Sequence, residues 1–262
     1  MKKQQKKTVY NRLYTSILLV LLALVAVTAA TVAWFSIADK TRVRTMSLDI
    51  MTDVEMRMDM DSHATIDDYV KTLTFDQIAE RMQIEKGFSM SETPLKPVTT
   101  SDCDTFTFEN GSVVESTSGA YLEFTLHFMA AKDMIVHLTS ANSDAKANDG
   151  TAVLSENSEL PLAMRIAFTA DEQTWVYDPG EDDAASSSGK IIYFGLPGAA
   201  SMKLSDNNAM FSLKEGVDKA VVVHIWLEGT DPACTDALRA SDYAIRLRFT
   251  GTDMEGNTFS AQ

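Results

Sequence analysis

From residue 54 onward the chain alternates. "VEMRMDMD" (54–61) sets Val54, Met56, Met58 and Met60 on one side and Glu55, Arg57, Asp59 and Asp61 on the other. A period of two marks a strand with one buried and one wet face. "AYLEFTLHF" (120–128) repeats the pattern with Leu122, Phe124, Leu126 and Phe128 inward. "LPLAMRIAFT" (160–169) aligns Leu162, Met164, Ile166 and Phe168. "YAIRLRFTG" (243–251) sets Tyr243, Ile245, Leu247 and Phe249 against Arg246 and Arg248. "MIVHLT" (134–139), "KIIYFG" (190–195) and "KAVVVHIWLEG" (219–229) are rich in β-branched and aromatic residues, which suit a pleated, half-buried surface. The short link "MAAKD" (129–133) predicts a hairpin joining 120–128 to 134–139. Alternation with one wet face is the habit of antiparallel sheets. Roughly eight such strands with polar loops predict a mainly β chain, an antiparallel β-sandwich or jelly roll.

Two short helices interrupt the strands. In "TFDQIAERMQ" (74–83) Thr74 and Gln77 have capping-box spacing, and Phe75, Ile78, Ala79 and Met82 share a face. "DPACTDALRAS" (231–241) predicts a proline turn and a helical turn near 235–240. Long loops are expected at 86–104, 140–160 and 178–189, the last marked by the proline, glycine, acids and serines of "DPGEDDAASSSGK". No linker divides the body, so 34–262 is read as one extracellular domain.

Ahead of the strands the pattern changes. Residues 13–35 carry no charge, and "SILLVLLALVAVTAATVAWF" (16–35) is about as long as a spanning helix, roughly 20 residues. A buried helix of a globular body has polar positions every third or fourth residue; from 17 to 27 this stretch has none. Lys2, Lys3, Lys6, Lys7 and Arg12 lie on its amino-terminal side, which by the positive-inside rule leaves the body outside the cytoplasm. Residues 1–33 therefore read as a signal peptide or a transmembrane anchor. Thr31 and Ala33 match the small residues of a cleavage site loosely and make Trp34 the new first residue. Uncleaved, Trp34 belongs to the aromatic belt at the outer interface. Either way the protein is expected at the cell surface or outside the cell.

Charge narrows the partners. The net charge is −14, and the five cations of the first twelve residues leave −19 on the rest. An acidic body repels phosphate backbones, so nucleic acid is excluded as a partner. The chain has two cysteines, Cys103 and Cys234, too few for a disulfide framework and too far apart for a local metal motif. They form either one long-range bridge or two buried thiols.

Catalytic signals are absent from the sequence. The histidines are His63, His127, His137 and His224, and none stands in a His-Glu-x-x-His arrangement. His127 and His137 fall in neighbouring predicted strands, both on the polar face, from which two imidazoles can approach each other; surface or cross-strand histidines are the simpler reading. No Gly-x-Ser-x-Gly elbow occurs, and Ser186–Ser188 lie in a low-complexity loop. The expectation is a protein without enzymatic activity and without a required cofactor. Calcium is the one metal whose ligand chemistry is represented, by the acidic clusters "DMDSH" (59–63), "DCD" (102–104), "DPGEDD" (178–183) and "DMEGN" (253–257). None has the spacing of the twelve-residue calcium loop, and solvated acids are the simpler reading of each.

"TVAWFS" (31–36), a polar spacer and "TMSLDI" (45–50) together resemble the start of TasA and camelysin-type exported proteins of Gram-positive bacteria. "YAIRLRF" is a weaker carboxyl-terminal echo, and "HIWLEGTDPAC" (224–234) is similar to a phrase of uncharacterised clostridial surface proteins. The close match covers about 20 residues, and Met46 stands where that family often has glycine. The resemblance implies a junction at Thr31, Ala33 and Trp34 cut by a dedicated signal peptidase. It also implies a fibre subunit whose freed end, with Trp34, Phe35 and Ile37 as anchors, completes the next subunit, so that the partners are further copies or other surface proteins. The metalloprotease activity described for camelysin has no recognisable site here and is not carried over. The alternative is a single-pass domain, held in the membrane by residues 13–35, that binds a carbohydrate or protein with Trp175, Tyr177 and Tyr193 near the acidic loop.

Overall fold

A computed structural model describes residues 16–22, 42–50, 55–139, 150–179, 200–202, 209–238 and 241–257. Among them the chain is mainly β, in two sheets. The first runs in the spatial order β13 (Ala209–Leu213), β8 (Met134–Leu138), β15 (Asp242–Thr252), β1 (Arg42–Ile50) and β3 (Thr72–Leu73), with β9 (Ala152–Ser155) also on β15. The second contains β12 (Ala200–Met202), β11 (Gln173–Tyr177), β10 (Met164–Ala170) and β14 (Lys219–Glu228). Along β14 lies β7 (Leu122–Ala130), which carries β2 (Met56–Asp59). Where β7 leaves, β4 (Pro97–Thr100) takes over the end of β14 and leads to β5 (Phe106–Thr107) and β6 (Val113–Val114).

The alternation places the core. Met56, Met58 and Met60, then Leu122, Phe124, Leu126 and Phe128, then Tyr243, Ile245, Leu247 and Phe249 are all buried. They meet between the sheets: the Phe249 ring lies 5.3 Å from Phe128 and 5.8 Å from Phe168, and Phe128 lies 5.4 Å from Phe211. Tilted and edge-on aromatic packing of this kind adds about 0.5–1.5 kcal/mol per pair to the area it buries.

The helix α2 (Phe75–Lys86) forms where its caps predict it. The Thr74 hydroxyl accepts from the Gln77 amide, and Gln77 Oε1 accepts from the Thr74 amide. Ile78 and Met82 are buried, while Phe75 and Ala79 pack half-buried on the core. Gly87 ends the helix in the left-handed conformation. The turn expected near 235–240 is a 3₁₀ turn at Asp236–Leu238.

Four expectations are corrected. The sheets are mixed, not antiparallel: β1 pairs parallel with β15, β4 with β14 and β11 with β12. Alternation records one-sided burial, which either strand direction satisfies. The hairpin between 120–128 and 134–139 does not form. β7 and β8 belong to different sheets, and the short link carries the chain from one layer to the other. Residues Leu160–Ala163 make a helical turn, α3, with Pro161 in its first turn, so β10 begins at Met164 and Leu162 is only half-buried. Arg165 and Ala167, on what should be the wet face of β10, are buried as well. The cause lies in the supposed loop 86–104, which contains β4. With β5 and β6 it lays Val98, Phe106 and Val114 over the outer face, against Tyr121, Ala167 and Trp226.

Of the leader, residues 16–22 are helical (α1), and the apolar side chains from Ile17 to Leu22 are 49–68% exposed. Among the described residues no helix is long and apolar enough to cross a membrane. The rest of the uncharged stretch lies outside the described residues, as do Val54, the expected strand 190–195, Tyr193 and most of the loop 178–189.

Candidate functional site

Thr31, Ala33, Trp34, Phe35 and Ile37 lie outside the described residues, but the strand into which they lead is defined. One side of β1 pairs with β15 along its whole length. On the other side β3 covers only Leu48 and Asp49, and the Ile50 amide donates to the Lys71 carbonyl at 2.8 Å. From Arg42 to Ser47 that second edge has no strand partner among the described residues. Unpaired N–H and C=O groups along such an edge accept an added strand. The register slips between Val43 and Thr45, so Arg44 is the extra residue of a bulge. Its side chain turns to Asp242 at 2.7 Å. Beside it opens a cleft of about 710 Å³ lined by Arg44, Asp242, Ser241, Ala237 and the loop Glu156–Ser158. The lining is polar and holds no aromatic ring.

The histidines have cross-strand and loop partners, and the approach of His127 to His137 does not occur. His127 and His137 sit in different sheets and do not meet. His137 Nε2 lies 2.9 Å from the Thr252 hydroxyl. His127 Nδ1 lies 2.8 Å from Asp218, which also accepts from the hydroxyls of Tyr69 and Ser62, each at 2.8 Å. His63 stands 3.6 Å from Asp59 and edge-on to the Tyr69 ring. His224, buried on β14, faces Glu123 directly across on β7 at 3.4 Å, and Lys86 reaches the same carboxylate at 2.6 Å. Three of the four histidines thus sit beside a carboxylate. Ser62 donates to Asp218 rather than to an imidazole, so this cluster lacks the nucleophile–base contact that acyl transfer requires.

Beneath the covered outer face lies a buried charge group that the sequence did not signal. Arg165, 1% exposed, ion-pairs with Asp231 at 2.6 Å and Asp178 at 3.1 Å. It also donates to the carbonyls of Leu162 and Met164, both at 2.8 Å. Its cross-strand neighbour Trp226 donates its indole N–H to Glu228 at 2.9 Å, and Glu228 accepts from the Thr230 amide and hydroxyl. The group ties the start of the 178–189 loop to the turn after β14. In the sequence Arg165 occupies an ordinary polar position of an alternating strand; its burial depends on segments far along the chain.

Cys103 and Cys234 are unpaired and buried, in separate apolar clusters. Burial, with Asp102 and Glu228 near one and Asp231 and Glu228 near the other, pushes both thiols up to about 12. Both are protonated at neutral pH, which makes them weak nucleophiles. The acidic clusters are engaged in turns. Asp102 accepts from the amides of Asp104 and Thr105, which lead in holding its carboxyl below the usual range. Asp253 accepts from the side chain and amide of Asn257, and Asp59 from the amides of Met60 and Asp61. Asp178 pairs with Arg165, and residues 180–183 lie outside the described residues. Among the described residues no three histidines, cysteines or acids stand close enough to hold a metal ion. Trp175, half-buried, rests edge-on against Phe211 at 6.1 Å, and Tyr177 is buried.

Comparison with protein-family models, with curated proteins and with solved structures finds no match for this chain.

Proposed function

We propose that this is an exported, non-enzymatic surface or matrix protein of the Gram-positive type, a β-sandwich of jelly-roll character whose freed amino-terminal segment adds as a strand to a neighbouring copy. The observation that carries the reading is the edge of β1. The segment holding Trp34, Phe35 and Ile37 runs directly into a strand whose outer side is unpaired from Arg42 to Ser47 among the described residues. The uncharged leader with its basic flank supports export, and the exposed apolar side chains of α1 suit a lipid or translocation environment. A head-to-tail strand contact does not close on itself, so it propagates into a fibre. The test is direct. Protein beginning at Trp34 forms filaments under the electron microscope, and protein lacking Trp34–Asp39 as well forms none. Filaments that survive the second deletion would remove the strand-addition idea.

The polar cleft beside Arg44 favours a second reading, a membrane-anchored domain that binds a hydrophilic partner such as a carbohydrate. Amino-terminal sequencing of the native protein separates the two. A start at Trp34 supports release and assembly; an intact amino terminus supports anchoring.

A further inference from the structure

Between β2 and β3 the chain leaves both sheets. Among the described residues, the backbone bonds of Asp61–Asp68 stay inside the excursion, as from the Asp68 amide to the Thr65 carbonyl. Most of these side chains are exposed, and Tyr69 is the one that reaches deep burial. One carboxylate outside the excursion gathers its buried end. Asp218, in the turn before β14, accepts the Tyr69 hydroxyl on one oxygen and the Ser62 hydroxyl and His127 Nδ1 on the other, each at 2.8 Å. The Tyr69 hydroxyl in turn accepts the His63 amide at 2.9 Å. The other ties are the two-bond pair of Arg81 with the exposed Asp61, Arg57 to the Tyr69 carbonyl at 3.4 Å and to the largely exposed Asp67 at 3.7 Å, His63 to Asp59 at 3.6 Å, and the backbone bridge of Val70 to Met58 at 2.8 and 3.0 Å that ends the excursion. Lys219, next in sequence, is paired with Asp171.

We propose that residues 61–69 form a flap pinned shut by the Asp218 carboxylate, a latch that opens when Asp218 takes up a proton. A carboxylate has only acceptor sites, and three donors from two separate elements, β7 and the flap, converge on this one. A neutral carboxyl has an O–H of its own that needs an acceptor. A carboxyl that donates its own O–H keeps fewer acceptor sites for the three donors that converge on it. Burial pushes the Asp218 carboxyl up, but the bonds from His127, Tyr69 and Ser62 outweigh it and hold the group below the usual aspartate range. The latch is therefore complete above the ordinary carboxylate range and is lost as pH falls through that lowered value.

Hydrogen exchange of the full chain in detergent, followed by mass spectrometry, tests this. At neutral pH, Asp218→Ala raises exchange of the 61–69 amides on the order of tenfold while β7, β14 and β15 keep their protection. The unaltered protein shows the same local rise, corrected for intrinsic rates, as pH falls from about 4 towards about 2, and Asp218→Ala, already open, shows a much smaller one there. Tyr69→Phe keeps the ring, removes one donor and moves the opening to higher pH. Equal exchange of the flap in Asp218→Ala and the unaltered protein overturns the proposal. So does a flat acid profile, or a rise shared by the core strands.

Discussion

Glu123 shows how much one residue's chemistry depends on chain that is distant in sequence. It stands on the wet side of β7, and in the sequence it is one more polar position. In the fold it faces His224, 101 residues away, and Lys86, 37 residues away. The bond to His224 leads in pulling its carboxyl down, burial opposes, and Lys86 adds to the pull, leaving it at about 2. A carboxyl depressed on folding adds stability above its unfolded range and loses it as pH falls through the folded value. Urea midpoints of the unaltered protein should therefore fall between about pH 4.5 and about pH 2, and Glu123→Gln should flatten that part of the curve. An unchanged slope in the variant would mean that the carboxylate is not held by these partners.

Elements were legible where their signals are local. α2 follows from Thr74, Gln77 and an apolar stripe, all within one segment. β4, β5 and β6 were missed because two-to-four-residue strands span too little chain to show a period. Two glycines separate local from tertiary demands. Gly87 closes α2 at φ +81, and an added Cβ meets nothing within 4 Å. Gly119, at φ +70, ends the turn that leads into β7, and a Cβ there would fall 2.5 Å from the Thr93 methyl and 3.1 Å from Phe88. Gly87→Ala should cost about 1 kcal/mol, the backbone penalty alone. Gly119→Ala should cost roughly 2–4 kcal/mol, because crowding adds to that penalty. Urea unfolding measures both, and equal effects would show that the crowding relaxes freely.

At the scale of the whole molecule, the interlock of Phe249 with Phe128 and Phe168 joins the two sheets. Phe249→Ala should cost about 3–5 kcal/mol, because a cavity between packed layers collapses only in part. Val113→Ala, at a side chain 62% exposed, should change the unfolding free energy measured in urea by no more than about 0.5 kcal/mol. The sequence by itself determined that the body is β-rich, which side of the main strands is buried, where α2 begins and that an uncharged stretch precedes them. Each of these is written in the spacing of neighbouring residues and needs no other part of the chain. Only the tertiary structure decided that β1 runs parallel to β15, that β7 and β8 part into different sheets, that Arg165 is buried and that three histidines meet carboxylates. Backbone N–H and C=O groups pair equally well with a strand of either direction, so alternation cannot carry that information. The partners of a buried charge come from segments whose positions are set only when the layers close.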